Sequence, residues 1–326
     1  MQDDLFSPDT VAAPVGRRAN VRVGTCSWSD PSLIKSKRFY PRGSGTSEKR
    51  LRFYATQFPI VEVDSSFFAM PSPENAALWA ERTPDDFVFN VKAFRLFTGH
   101  QTPPQTFPPD IAKLLPPLPP RKRNWYYADV PEELRDELWR RFLIALDPLR
   151  LAGKLRIAHF QFAPWVSNTR AWRGHVEHCL ERMDGQRIAV EFRNATWFAE
   201  DSAARTLAWE RELGVVHVVV DEPQGVGNYA QGVWEVTDPA LAIVRLHGRN
   251  AETWEAKGLA SSAERFNYEY SDGEIDELAG KIANLAEQAL ELHALVNVNY
   301  EDQGVRAAKR LETKLRKIAE SSDNVG

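Results

Sequence analysis

The stretch Arg187–Trp197, RIAVEFRNATW, decides the fold. Ile188, Val190 and Phe192 alternate with Ala189, Glu191 and Arg193. In a strand this gives one apolar face and one face carrying a carboxylate beside a guanidinium. A helical pattern over Asp201–Leu213 follows. Seven more stretches read as strands: Val21–Trp28, Ile60–Phe68, Phe87–Arg95, Ile157–Trp165, Val215–Pro223, Ala242–Arg249 and Leu295–Glu301. Helical patterns separate most of them: Ser47–Phe58 with Ser47 as the cap, Pro73–Arg82, Pro131–Leu146, Thr169–Met183, Gly273–His293 and Val305–Glu320. Eight alternating units predict an α/β fold, a (β/α)₈ TIM-type barrel. An open doubly wound sheet is the alternative, but no G-x-G-x-x-G follows any strand.

Working outward, residues 1–20 read as a flexible tail, 21–320 as one barrel domain and 321–326 as a C-terminal tail. After strand 3 a long Pro-rich insertion, 96–130, carries eight prolines between Pro103 and Pro120 and reads as lid-like. Its Arg121–Tyr127 segment mixes cations with aromatics. That composition suits bases and phosphates, or equally a basic turn, and Trp125 to Tyr127 are placed to cover a substrate. The 326 residues carry a net charge of −4, which argues against a surface built wholly for nucleic acid. Cys26 and Cys179 form neither a disulfide framework nor a zinc pattern. No apolar run approaches the roughly 18–20 residues of a spanning helix, and the N-terminus does not read as a secretory signal. The expectation is a cytoplasmic protein without a membrane partner; its oligomeric state is left open.

The alternation places Val61, Val63, Phe89, Val91, Phe160, Phe162, Val216, Val218, Val220, Val244, Leu246, Val296 and Val298 against the helices. The opposite face would fill the barrel. It holds Cys26 and Trp28; Glu62, Asp64 and Ser66; Asn90 and Lys92; His159 and Gln161; Glu191 and Arg193; His217 and Asp221; Arg245, His247 and Arg249; Asn297 and Asn299. Some of these are expected to be structural ion pairs, but burying so many charges for stability alone is costly. Glu62, Asp64, Glu191, Asp221 and His247 are the candidate catalytic groups, since paired carboxylates serve as acid and base. Lys92, Arg193, Arg245 and Arg249 are candidate anion clamps. Trp28, Gln161, Trp197, Asn297 and Asn299 complete the candidate substrate contacts. Glu62, Glu191, Asp221 and His247 could ligate a divalent metal, but the interleaved cations disfavour it, and no metal ligand is assigned. Cys26 reads as a small buried thiol or, alternatively, as a nucleophile whose pKa nearby cations lower. His175, His178 and Cys179 read as a packed or solvated helix face.

The chain resembles the YecE-like family, domain-of-unknown-function family 72. The resemblance is carried by Val23–Trp28, Phe39-Tyr40-Pro41, Phe53-Tyr54, Val61–Phe68, Trp79, Thr83-Pro84, Phe87–Lys92, Glu191–Asn194 with Trp197, Asp221, Val244–Arg249 and Tyr268–Tyr270. It implies a TIM-type barrel and no particular activity. Cys26-Ser27 stands where the family usually has serine-glycine, and Asn297 and Asn299 stand apart where it tends to pair asparagines. The residues point to a hydrolase acting on an anionic, phosphate-containing substrate, a small molecule or nucleic acid. The alternatives are a non-catalytic binder of nucleic acid or a phosphometabolite, and a metal-dependent isomerase, endonuclease-like or glycosidase barrel.

Overall fold

A computed structural model describes residues 20–223, 230, 232–254, 256 and 262–323. The expected tails fall outside these residues except for Asn20 and 321–323. Among the described residues eight parallel strands close into a barrel in chain order: β1 (Asn20–Thr25), β2 (Ile60–Val63), β3 (Val88–Lys92), β4 (Leu155–Gln161), β5 (Ile188–Glu191), β6 (Val216–Asp221), β7 (Ala242–Leu246) and β8 (Glu291–Val296). β8 returns to pair with β1. Around them run α1 (Pro31–Ser36), α2 (Ser47–Gln57), α3 (Pro73–Glu81), α4 (Pro109–Leu114), α5 (Glu132–Leu151), α6 (Arg170–Arg182), α7 (Ala203–Leu213), α8 (Ala251–Trp254), α9 (Ser262–Arg265), α10 (Asp272–Ala286) and α11 (Gln303–Asp323). No described helix is long and apolar enough to cross a membrane.

The strands are buried on both faces, as parallel strands under helices must be. Inside, Ile60, Val88, Ile157, Ala189, Val216, Val218, Ile243 and Leu295 pack as one apolar cluster. Outside, Val61, Phe89, Phe160, Val190, Val244 and Val296 join the layer shared with the helices. Gly24 permits the approach of β1 to β2, since a Cβ there would lie 2.2 Å from the Ile60 carbonyl oxygen.

Three expectations are corrected. Thr46, not Ser47, caps α2, its side chain accepting from the Lys49 amide at 3.2 Å. The helix expected through His293 ends at Ala286, and β8 begins at Glu291, so the fully buried His293 is a strand residue. The faces of β6 are inverted. Val216, Val218 and Val220 point inward, while His217 faces α7, with Nδ1 3.2 Å from Glu210 Oε2 and Nε2 3.1 Å from the Val233 carbonyl. With both faces buried, polarity alone does not mark the inner one.

The insertion expected as a lid is packed in the outer layer along much of its length. Leu96, Phe97, Phe107 and Ile111 are buried, Phe97 stacks on Trp139 at 3.7 Å, and Thr102 bridges to Trp125. The Tyr127 hydroxyl, expected over a substrate, lies between α5 and α6, accepting from Trp139 Nε1 at 2.8 Å and meeting His178 Nε2 at 2.7 Å. His175 Nε2 and Cys179 Sγ meet the Phe97 carbonyl, so that face of α6 is a packing face.

Burial disfavours a charged His217, but Glu210 and the Val233 carbonyl leave its pKa above the ordinary value. The charged pair therefore stabilises the fold fully below about pH 6.5 and less as pH rises through the raised native value. In urea denaturation Glu210→Gln is expected to cost more at about pH 5.5 than at about pH 8.5. An equal cost at both would show that the pair is uncharged.

Candidate active site

Above the apolar floor the inner face turns polar towards the carboxyl ends of the strands, where barrel sites lie. Its centre is Arg245 of β7, fully buried. Nη2 donates to Glu62 Oε1 of β2 at 2.6 Å, and Nη1 donates to Glu191 Oε2 of β5 at 2.6 Å. Nη1 also reaches Gln161 Oε1 at 3.3 Å. His159 of β4 lies between the same carboxylates, Nδ1 3.0 Å from Glu62 and Nε2 3.2 Å from Glu191. Beyond β5, Arg193 Nη1 donates to Glu191 Oε1 at 2.8 Å, and its Nη2 lies 2.8 Å from Glu222 Oε2. Glu62, Arg245, Glu191, Arg193 and Glu222 thus form a buried chain of alternating charge. Trp254 covers its outer end, 5.4 Å from the Arg193 guanidinium carbon.

The chain sorts its carboxyl groups. Burial alone would raise Glu191, but Arg245, His159 and His247 hold it well below the usual carboxylate range. Glu62 is held down likewise, against burial, by Arg245 and His159. Burial pushes Glu222 up to about 7, with Arg193 opposing and Glu191 and Asp221 reinforcing the rise. His247 is pushed down to about 3 by burial, Arg193 and Arg245, so it is neutral at pH 7. Its Nε2 lies 3.1 and 3.3 Å from the two guanidinia and 3.5 Å from Glu191 Oε1. Asn297 Nδ2 donates to Nδ1 at 2.9 Å. Asn90 is fully buried, and neither atom of its amide has a partner among the described residues. It is available to a bound polar group.

Of the residues singled out in sequence, Glu62, Gln161, Glu191, Arg193, Arg245, His247 and Asn297 converge here. Asp64 and Lys92 pair with each other at 2.7 Å beside Phe67. Asn299, half-buried at the end of β8, has its carbonyl bonded by Ser32 Oγ at 2.5 Å. Asp221 and Arg249 form a separate cluster. Arg249 Nη2 reaches Asp221 Oδ1 at 2.7 Å, Tyr270 donates to Oδ2 at 2.7 Å, and Glu277 joins at 3.1 Å. This cluster lines a cavity of about 500 Å³ with Trp234 and Lys281. Gly248 divides the clusters: its φ of +80° turns the chain after His247, and a Cβ there would meet Tyr268 at 2.7 Å. Trp197 is structural by position, stacked on Phe192 at 3.8 Å and bonded to the Val166 carbonyl. Trp28 packs edge-on against Trp79 of α3. Cys26 receives Arg245 Nη2 at 3.6 Å, and burial, aided by Glu62, pushes its thiol well up, which fits the buried-thiol reading.

Sequence reasoning missed Glu222. It shares a face with Val216, Val218 and Val220, which read as helix-facing. Among the described residues no three His, Cys, Asp or Glu side chains are grouped to hold a metal. Where Glu62, Glu191 and His159 converge, the Arg245 guanidinium sits between the carboxylates.

A family profile described as "Protein of unknown function DUF72" matches residues 22–324. The UPF0759 protein YunF of Bacillus subtilis is 30% identical over 281 residues, covering 86% of this chain and 89% of YunF. A crystal structure of a DUF72 family protein from Enterococcus faecalis is similar with a TM-score of 0.74 and 25% identity, over 90% of this chain and 95% of that one. A DUF72 family protein from Thermotoga maritima is similar with a TM-score of 0.66 and 25% identity, over 90% and 98%.

Removing the central cation strands two buried carboxylates. Arg245→Met is expected to cost about 3–5 kcal/mol in urea denaturation, and adding Glu62→Gln should recover part of that loss. Additive costs would show that the two side chains are not coupled.

Proposed function

The chain belongs to the DUF72 family of proteins of unknown function, and from that premise we propose that it is a hydrolase using general acid–base chemistry on an anionic substrate. One observation carries the reading: Arg193 holds two carboxyl groups with opposed protonation, Glu191 well below the usual range and Glu222 at about 7. A pair of titratable groups pushed apart in this way divides the roles of proton donor and permanent anion. Glu222, half protonated near neutrality, is matched to giving a proton to a leaving-group oxygen. Glu191, ionised throughout, stabilises positive charge at the reacting centre or orients the attacking water, a role it fills better than that of a strong base. Neutral His247, fixed through Asn297, presents no titrating proton at pH 7. The unpartnered Asn90 amide supports recognition of a substrate hydroxyl or carbonyl.

The cations expected to clamp the substrate each hold a carboxylate already. Lys92 is on Asp64, Arg193 on Glu191 and Glu222, Arg245 on Glu62 and Glu191, and Arg249 on Asp221. Their work is to set the protonation of the carboxyl groups. A non-catalytic binder is the second reading, which the separation of Glu191 from Glu222 in pKa does not favour.

The test is a screen of the full-length protein against chromogenic phosphomonoesters, phosphodiesters and glycosides. With a substrate in hand, kcat/KM is expected to fall as pH rises through about 7, because the acid loses its proton. Glu222→Gln should abolish that limb and lower kcat by roughly 100-fold or more. Glu191→Gln should stop turnover while sparing binding. A limb near pH 7 that survives in Glu222→Gln assigns the proton to another group.

A further inference from the structure

Just outside the charged chain, Arg95 follows β3 on a rigid mount. Its amide donates to the Phe67 carbonyl at 3.1 Å, and its own carbonyl accepts from the His100 amide at 3.2 Å and Thr98 Oγ1 at 3.2 Å. Its guanidinium carbon lies 5.2 Å from the Phe67 ring centre and 5.9 Å from that of Phe68. Unlike Lys92, Arg193, Arg245 and Arg249, it has no ion-pair partner among the described residues, and its buried Nε has no hydrogen-bond partner. A half-buried guanidinium flanked by aromatic rings keeps its charge with less water around it, so an oxyanion gains more there than at an exposed arginine.

The surroundings reinforce this. The Phe67 ring also carries Lys92 Nζ at 4.5 Å and meets the His100 ring at 4.8 Å. Burial, then Lys92, Arg95 and Arg193, push His100 down to about 3, so the local field is positive despite Glu191. Beside His100, Trp165 donates Nε1 to the Gly99 carbonyl at 3.0 Å, and its ring lies 5.8 Å from the imidazole. Trp165 is 48% exposed and Phe68 51%, both large apolar faces. Exposed aromatic faces beside a cation suit a ring compound bearing a negative group.

We propose that Arg95 binds an oxyanion, phosphate or carboxylate, on a ring-shaped small molecule, and that Phe68 and Trp165 take the ring. Identifying that molecule with the substrate rests on the hydrolase reading; its binding does not. The test is calorimetric titration of the full-length protein with inorganic phosphate, glucose 6-phosphate, glucuronate and glucose. At least one anionic sugar should bind about tenfold or more tighter than glucose, and the two sugars together distinguish phosphate from carboxylate. Arg95→Met should erase the difference, and Phe68→Ala should weaken the anionic sugar but not inorganic phosphate. If Arg95→Met does not fold, Arg95→Lys, which keeps the charge and loses the fork, should weaken binding measurably. Equal affinity for glucose, no binding of either anionic sugar, or binding indifferent to Arg95 would each overturn the proposal. Binding through Arg95 with no turnover anywhere in the ester and glycoside screen would sink the hydrolase reading alone, and turnover in that screen with sugar binding independent of Arg95 would sink this one alone.

Discussion

A fully buried guanidinium at the centre of a closed barrel is cut off from bulk water, so its partners must come from other strands. Arg245 takes Glu62 from β2 and Glu191 from β5, three strands apart around the barrel, and both bonds are 2.6 Å long. Stripping such ions of water costs several kcal/mol each, which only close, well-oriented pairing repays. The geometry therefore ties three strands to one position, and every neighbouring polar group is placed relative to it. Glu62 → Arg245 → Glu191 → Arg193 → Glu222 has three carboxylates for two guanidinia. Glu191 is bridged twice, and Glu62 has His159 as well as Arg245. Glu222, at the far end, is pushed up chiefly by burial and is the carboxyl that tends to keep its proton.

This logic explains which parts of the site were legible in the sequence. Strands such as IAVEF carry polar groups on one face only, and that face turns out to be inward because the helices outside demand apolar contact. VVHVVVDEP breaks the rule. The barrel floor needs volume, which Val216, Val218 and Val220 supply, while His217 turns outward because α7 offers Glu210. A strand whose outer polar residue has a private partner cannot be oriented by composition, and Glu222 was hidden with it. Asp221 was grouped with the centre through the same inverted faces of β6, and Arg249 because alternation was extended past the end of β7, whereas the positive φ of Gly248 resets it. Trp197 was legible as an aromatic near the strand end, but its stacking on Phe192 is a fact of tertiary packing. The eight-unit architecture survived all of this because it depends on the order of elements, not on the facing of any one of them.

The stretch after β3 shows why proline content alone misleads about order. Prolines exclude a long helix there, yet Phe94, Leu96 and Phe97 anchor the chain in the outer layer, and the Thr102–Trp125 bridge closes the loop. Anchoring on alternate sides fixes the intervening backbone well enough to hold a side chain at a set position, a requirement for any preorganised site. Arg95 and His100 occupy such positions.

The two halves of the site then carry different constraints. Inside, every cation is committed to a carboxylate. An incoming anion could not bind there without displacing a partner and leaving it buried and charged, a loss larger than the contact would return. On the proposed function, specificity for charge would lie outside the chain of ion pairs, where Arg95 has no carboxylate partner among the described residues. The centre is left to govern protons. On that proposal, a barrel that separates the two tasks would tune the acidity of Glu222 through Arg193 without weakening its hold on a substrate, and would change its choice of substrate at the mouth without disturbing Arg245.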